Sequence, residues 1–286
     1  MKHNGAAAKT DPDLQLGLIG DNIAASRAPV LHRLAGEQSG LTVIYDRLVP
    51  PAMELTFAEV FAKCAQGGFH GINVTYPYKE RVVAYVTVED PLVRAIGAVN
   101  TVVFETTGPK GYNTDYSGFV TAYRRERGDV APGVCCMIGA GGVGRAVAFG
   151  LLALGAEEIR LVDMDVGRAD ALAADLRSAL PSTKVTTGTD TAIAVVGAQG
   201  VLNCTPVGMD GLAGTPVPRE ALRGAEWAFD AVYTPVNTQF LSDSRAEGLQ
   251  LISGYELFFY QGVDAWARFA GKPLDEDRLR ADLARG

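Results

Sequence analysis

At 286 residues the chain is long for a single core, so two domains are the default organisation. Hydrophobic content of 48% and charged content of 21% place it among soluble globular proteins. A net charge of -7 argues against a general nucleic-acid surface, without excluding a locally cationic pocket for an anionic ligand.

The four cysteines, Cys64, Cys135, Cys136 and Cys204, form no C-x-x-C pair, and only three histidines are present, so no metal site is expected. Cys135 and Cys136 fall in an apolar run, where cysteine packs as a small hydrophobe, and this usage fits a reducing cytoplasm. The first dozen residues carry Lys2, His3 and Asn4 and no apolar stretch; they are expected to form a loose tail, not a signal peptide. No run approaches the roughly 20 apolar residues of a membrane span.

In chain order, the apolar run from Leu14 to Gly20 predicts a strand. Helical spacing of Val30, Leu31 and Leu34 predicts a helix from Pro29 that stops at Gly40. A β-branched strand over Thr42–Val49, a helix over Leu55–Ala65 and a strand over Gly71–Thr75 come next, then a helix from Tyr78 and a strand over Thr101–Phe104. Strands alternating with helices imply a largely parallel sheet. A helix over Ser117–Arg127 leaves this first unit, and Gly128-Asp129-Val130-Ala131-Pro132-Gly133 breaks the chain. The pattern restarts with a buried strand over Val134–Ile138, a helix over Val143–Leu154 and a strand over Ile159–Val162. A helix over Arg168–Leu180 ends at Pro181. Val201–Cys204 and Trp227–Val232 are further strands, and helices over Glu256–Ala270 and Asp275–Arg285 close the chain.

Gly139-Ala140-Gly141-Gly142-Val143-Gly144 follows an apolar strand and opens a helix, the context a dinucleotide-binding loop requires. Gly139 permits the tight turn, Gly141 lets backbone approach a pyrophosphate, and Gly144 allows close helix–strand packing. The free N–H groups of the helix start suit the anion. Asp163 ends the next strand at about the 20-residue distance where a carboxylate accepts from the ribose hydroxyls of NAD and repels the 2′-phosphate of NADP. Asp165 adds negative charge or caps the following helix. Arg168 is the one nearby cation. The balance favours NAD, with NADP possible.

The segment Gly71-Ile72-Asn73-Val74-Thr75-Tyr76-Pro77-Tyr78-Lys79 puts one lysine just beyond a strand end, and Gly111-Tyr112-Asn113-Thr114-Asp115 puts a carboxylate beyond another. A lysine beside a cleft serves as a general acid or base, and an aspartate can orient it. Taken singly, these are ordinary helix-start residues, and Asp115 could cap a helix starting at Tyr116 or Ser117. Asn73, Thr75, Asn100 and Asn113 at neighbouring strand ends favour the functional reading, because such ends converge on the ligand crevice of a parallel sheet.

Together these blocks resemble the shikimate/quinate dehydrogenases along nearly the whole chain and in order. Gly17-Leu18-Ile19-Gly20 is similar to the family's opening strand, and Gly71 to Lys79 to its G-x-N-V-T-x-P-x-K segment. Ala98-Val99-Asn100-Thr101 matches A-V-N-T, and Asn113-Thr114-Asp115 with Gly118-Phe119 matches N-T-D-x-x-G-F. Asn203-Cys204-Thr205-Pro206-Val207-Gly208-Met209 resembles N-x-T-P-x-G-M. Asp230-Ala231-Val232-Tyr233 with Pro235 and Thr238 resembles D-x-x-Y-x-P-x-x-T, and Gln261 sits where the family has its glutamine.

The resemblance implies two α/β domains with the site in the cleft between them: a mostly parallel substrate domain over 1–116, a Rossmann dinucleotide-binding domain over 117–254, and C-terminal helices over 255–286 returning to the first. It implies that Lys79 is the catalytic acid/base, paired with Asp115. Ser26, Thr75, Asn100, Tyr233 and Gln261 would hold the carboxylate and hydroxyls of a polyhydroxy cyclic acid. The cofactor would lie on Gly139, Ala140, Gly141, Gly142, Val143, Gly144, Asp163 and Arg168, with Thr205, Val207, Ala231 and Gly254 at its nicotinamide end. The implied reaction is reversible hydride transfer between a ring carbinol of shikimate or quinate and NAD(P), by a cytoplasmic monomer or homodimer.

The chain departs from the family in three places. Ala25-Ser26-Arg27-Ala28-Pro29 keeps one hydroxyl where the family has two against the carboxylate. One hydrogen bond to a charged group is worth roughly 1.5–3 kcal/mol, so shikimate affinity is expected to fall unless Arg27 compensates. The last long helix begins Gly254-Tyr255-Glu256-Leu257-Phe258-Phe259-Tyr260, so Tyr255 or Glu256 would alter the pocket. Asp163 with a following arginine, in place of an NADP-type Asn-Arg-Thr cluster, is similar to the NAD-using quinate/shikimate branch. The alternatives are the same chemistry on a related alicyclic acid, such as an aminoshikimate-type analogue, or a non-catalytic nucleotide-binding regulator.

Overall fold

A computed structural model describes residues 12–285; the expected N-terminal tail lies outside the described residues. The elements run β1 (Leu14–Ile19), α1 (Ala28–Ser39), β2 (Val43–Leu48), α2 (Phe57–Gln66), β3 (Gly71–Val74), α3 (Pro91–Ile96), β4 (Thr101–Glu105), β5 (Gly108–Tyr112) and α4 (Thr114–Arg127). The second series is β6 (Val134–Ile138), α5 (Gly142–Ala153), β7 (Glu158–Val162), α6 (Val166–Ala179), β8 (Lys184–Gly188), α7 (Thr191–Ala194), β9 (Gly200–Asn203), β10 (Trp227–Asp230), α8 (Gln239–Ala246), β11 (Gln250–Ile252), α9 (Gly254–Ala270) and α10 (Glu276–Arg285).

These strands form two sheets. The first has the order β2-β1-β3-β4-β5. Its β1, β2 and β3 are parallel, as the alternation of strands and helices predicts, but β4 runs antiparallel to β3 and β5 antiparallel to β4. The pattern reading missed β5 because Gly-Pro-Lys-Gly-Tyr carries no apolar alternation; register with β4 makes it a strand. The second sheet, β11-β10-β9-β6-β7-β8, is wholly parallel. This is the doubly wound Rossmann order, in which the winding reverses between β6 and β9 and opens a crevice at their carboxyl ends. The edge strands β8 and β11 also escaped the sequence, β8 because Lys184-Val185-Thr186-Thr187-Gly188 is mostly polar and β11 because it has only three residues.

The expected helix from Tyr78 is a short 3₁₀ turn over Arg81–Tyr85. The Lys79 carbonyl accepts the Val99 N–H at 2.8 Å, tying this backbone to the chain entering β4 instead of to a helical turn. Tyr78 stacks on Phe57, with ring centroids 4.9 Å apart.

Apolar residues cover both faces of each sheet. The first sheet packs α2 on one face through Val60, Phe61, Ile72 and Val102. Its other face meets α9 through Leu16, Trp266 and Phe269. The second sheet carries α4, α5 and α6 on one face, with Phe119, Phe149 and Leu172 buried, and α8 on the other through Phe240. Helix α9 therefore spans both units: it lies on the first sheet, yet packs along α4. A Cβ added at Gly118 of α4 would lie 2.7 Å from the Gln261 backbone nitrogen, so only glycine allows these helices to approach so closely. Cys135 and Cys136 are buried in β6 as small apolar side chains, and burial pushes the Cys136 thiol up to about 12. Among the described residues no helix is long and apolar enough to cross a membrane.

Candidate active site

A cavity of about 350 Å³ opens between the carboxyl ends of β1 and β3 and the loops that follow β9 and β10. Lys79 and Asp115 meet there. Lys79 Nζ donates to Asp115 Oδ2 at 2.7 Å, with side chains only 15% and 11% exposed. Asp115 does not cap α4; the Asn113 side chain does, accepting from Tyr116 N at 3.0 Å. Asn113 also donates to Ala98 O at 2.9 Å, which locks the helix start against the segment before β4. With the cap supplied by Asn113, Asp115 in the first turn is free to face the lysine, and the helix dipole favours its charge there.

Ser26, Thr75, Asn100, Tyr233 and Gln261 line the same cavity, together with Val143, Ala231 and Gly254. Asn100 is held firmly: its Oδ1 accepts from Thr114 N at 2.7 Å and its Nδ2 donates to Thr114 Oγ1 at 3.0 Å. Asn73 is spent internally, accepting from Tyr45 Oη at 2.8 Å and donating to Thr101 Oγ1 at 3.0 Å. Tyr233 stacks on Phe258 with centroids 5.3 Å apart, and burial raises its phenol. Gln261 Nε2 donates to Phe258 O at 3.0 Å. Asn22, Met209, Leu257 and Phe258 also form walls. Met209 ends the Asn203–Met209 block and Leu257 and Phe258 fall in the Gly254–Tyr260 segment, whereas Asn22 carried no signal in the sequence.

Two of the departures from the family, at residues 25–29 and 254–260, bear on the cavity. Ala28 lines the cavity without a hydroxyl, while Ser26 Oγ accepts from Ala28 N at 3.3 Å. Arg27 is anchored through Nη2, which donates to Leu283 O at 2.5 Å, and is not part of the cavity wall. Glu256 does not reach the cavity either, because Arg280 binds both of its oxygens, at 2.9 and 2.5 Å. Tyr255 lies beside Phe258 and Phe259 on α9 and is likewise absent from the cavity wall.

The glycine loop after β6 closes the other side. Gly139 has φ +100°, and a Cβ there would lie 2.8 Å from the Cys204 carbonyl carbon and oxygen. A Cβ at Gly144 would fall 2.1 Å from Gly139 O. At Gly141 and Gly142, by contrast, a Cβ would meet nothing within 4 Å. Space thus remains open above the free N–H groups of the α5 start, where the residues suit a pyrophosphate. Asp163 Oδ2 accepts from Ala140 N at 2.8 Å and Oδ1 from Asp165 N at 2.9 Å, so the carboxylate sits at the loop's edge. Asp165 caps α6 through Arg168 N at 3.1 Å, and Arg168 is exposed with its guanidinium 3.7 Å from Asp165.

Thr205 and Val207 lie outside the cavity wall. The Thr205 hydroxyl is engaged within its own loop, donating to Asn203 Oδ1 at 2.7 Å and accepting from Val207 N at 3.2 Å. A buried acid organises this region. Asp230 accepts from Asn203 Nδ2 at 3.0 Å, Val232 N at 3.0 Å and Thr238 Oγ1 at 2.6 Å. It thereby joins the loops after β9 and β10. An acid ending the otherwise apolar Trp227-Ala228-Phe229 strand was the sequence signal for this bracket, since a buried carboxylate requires donors.

Comparison with known proteins agrees with this geometry. Residues 18–102 match the family model described as the shikimate dehydrogenase substrate binding domain. The chain is 37% identical to the quinate/shikimate dehydrogenase (NAD(+)) of Corynebacterium efficiens, covering 93% of this chain and 96% of that protein. It is 36% identical to the shikimate dehydrogenase (NADP(+)) of Pseudarthrobacter chlorophenolicus, covering 93% and 92%. Quinate dehydrogenase from Corynebacterium glutamicum, solved in complex with NAD, superposes with a TM-score of 0.90 at 32% identity over 96% of this chain and 99% of that one. Shikimate 5-dehydrogenase from Thermus thermophilus, solved with NADP(H) and shikimate, gives 0.84 at 30% identity over 95% and 99%. These relatives are enzymes, which removes the reading as a non-catalytic regulator. The chain belongs to the shikimate/quinate dehydrogenase family, the NAD(P)-dependent oxidoreductases that act on a CH–OH group.

Proposed function

We propose that the protein reversibly oxidises a ring carbinol of quinate or shikimate to the ketone, with NAD preferred over NADP. The observation that carries this reading is the 2.7 Å Lys79–Asp115 pair in a cleft bounded on one side by the glycine loop. NAD(P) on that loop supplies the hydride acceptor. As the neutral amine, Lys79 Nζ takes the hydroxyl proton during oxidation; as the ammonium so formed, it returns that proton during reduction, while Asp115 keeps Nζ aimed at the reacting oxygen. Ser26 and Tyr233 offer hydroxyls to the acid end, and Thr75, Asn100 and Gln261 orient the ring hydroxyls. The apolar wall of Leu257 and Phe258 keeps water from the reacting carbon.

The preference for NAD rests on Asp163. Its carboxylate at the loop edge accepts hydrogen bonds from ribose hydroxyls and repels a 2′-phosphate, and the neighbouring Arg168 guanidinium is drawn to Asp165. The division into a substrate domain to residue 116, a dinucleotide-binding domain to residue 254 and returning C-terminal helices is part of the proposal. It is supported by the two sheets and by the packing of α9 on the first.

One observation favours a second reading. Ala28 leaves the acid end one hydroxyl short, so a related alicyclic acid with an altered acid end or an amino substituent is the alternative substrate. Initial rates with NAD and NADP, against quinate, shikimate and a panel of ring acids, test both. Fast NAD reduction with quinate or shikimate supports the first reading. A better rate on another ring acid selects the second, and no reduction with any of them overturns both.

A further inference from the structure

Arg145 comes directly after the last loop glycine and belongs to the first turn of α5. Its backbone N–H donates to Gly141 O at 2.8 Å, so its main chain is part of the nucleotide loop. Its side chain leaves that unit. Nε donates to Ile96 O at 2.8 Å, and Nη2 to Asp175 Oδ2 of α6 at 2.7 Å. The guanidinium side chain is 17% exposed.

Ile96 ends α3, and Gly97 turns the chain away with φ +67°. A helix's last carbonyls have no intrahelical partner and carry partial negative charge, so a cation there satisfies both demands. The three residues after Gly97 support the dyad. Ala98 O accepts from Asn113 Nδ2, the cap of the helix carrying Asp115. Val99 N donates to the Lys79 carbonyl at 2.8 Å. Asn100 then lines the cavity. One side chain therefore joins the loop that faces the dinucleotide to the strip of backbone against which both Lys79 and Asp115 are held. Asp175 fixes the guanidinium from the far side, so it cannot swing to solvent without breaking an ion pair.

We propose that Arg145 is a positioning residue that transmits dinucleotide seating to the Lys79–Asp115 pair through residues 96–100. This inference rests on the proposed function only in that a dinucleotide must bind the loop. Fixing the loop fixes the guanidinium, and that holds the Ile96–Asn100 backbone in the register the dyad needs.

The test is amide hydrogen exchange of the Ile96–Thr101 segment in wild type, Arg145→Met and Arg145→Lys, with and without saturating NAD or NADP, alongside steady-state kinetics. In wild type the dinucleotide is expected to slow exchange of the Val99 amide about tenfold. In Arg145→Met that slowing should vanish and kcat should fall about tenfold, with KM for the dinucleotide unchanged within twofold. Arg145→Lys keeps charge and one donor direction, but not the fork to Ile96 and Asp175, and should recover only part of both. Equal slowing in wild type and Arg145→Met, no slowing in wild type, or a loss of kcat with no change in exchange response would each overturn the proposal. Dinucleotide-dependent slowing without turnover of any ring acid would instead sink the proposed function and leave the latch standing. Failure of both dinucleotides to bind would overturn both.

Discussion

Removing the lysine of the dyad separates catalysis from stability, because Asp115 has no other side-chain partner than Lys79 among the described residues. In Lys79→Met the methionine fills similar volume but leaves a carboxylate 8% exposed in the cleft. Breaking a buried pair from one side costs about 3–5 kcal/mol. The first turn of α4 returns up to about 1 kcal/mol through its dipole. The net loss is then about 2–5 kcal/mol, or a fall in Tm of roughly 4–20 °C. The double variant Lys79→Met/Asp115→Asn removes the stranded charge and is expected to be more stable than Lys79→Met alone, with a coupling of about 1–3 kcal/mol across the cycle. Catalytically, losing the acid/base should lower kcat by about 10²–10⁴-fold, equivalent to about 2.7–5.4 kcal/mol of barrier. Urea unfolding of wild type, both single variants and the double variant, with initial rates of NAD reduction, measures both. Turnover within tenfold of wild type in Lys79→Met would refute the assigned role. Equal stability of Lys79→Met and the double variant would refute the claim that Asp115 depends on Lys79.

The other expectations concern the cofactor and the pH response. Gly144→Ala places a Cβ 2.1 Å from Gly139 O, so the loop must open; dinucleotide affinity by fluorescence titration should fall at least tenfold, and an unchanged Kd would show that the close approach is dispensable. Asp163→Asn removes the charge that opposes a 2′-phosphate, so the ratio of kcat/KM for NADP to that for NAD should rise about tenfold or more; a constant ratio would place selectivity elsewhere. His32 is 1% exposed and stacked on Tyr45 at 5.0 Å, and burial lowers its imidazole from 6.5 to about 3, outweighing the opposing effect of the nearby Asn73 side chain. The unfolded chain therefore binds a proton below pH 6.5 that the folded chain refuses until about pH 3. Stability should fall through that window by about 1.4 kcal/mol per pH unit from this group alone. His32→Leu should flatten the decline between pH 6.5 and 4 relative to wild type, and parallel curves would exclude His32 as its source.

Local chemistry made much of this protein legible from its sequence. Gly139 and Gly144 stand where only a missing Cβ permits the turn and the helix contact, so the nucleotide loop could be read without coordinates. Apolar strands such as Val134–Ile138 are buried on both faces and announce themselves by composition. The ordered blocks from Gly17 to Gln261 likewise carried the family. Other features depended on partners distant in the chain. The antiparallel β5 is polar and exists through its register with β4, and the turn after Lys79 is set by Val99, twenty residues away. Asp115 could have been a cap until Asn113 took that role. Glu256 looked like a pocket residue until Arg280 claimed both of its oxygens. A side chain's type and neighbours in sequence determine which hydrogen bonds it can make. Which of those bonds it does make is decided by the groups that folding brings within about 3 Å, and Arg145, unremarked in the sequence, joins the two halves of the site for that reason.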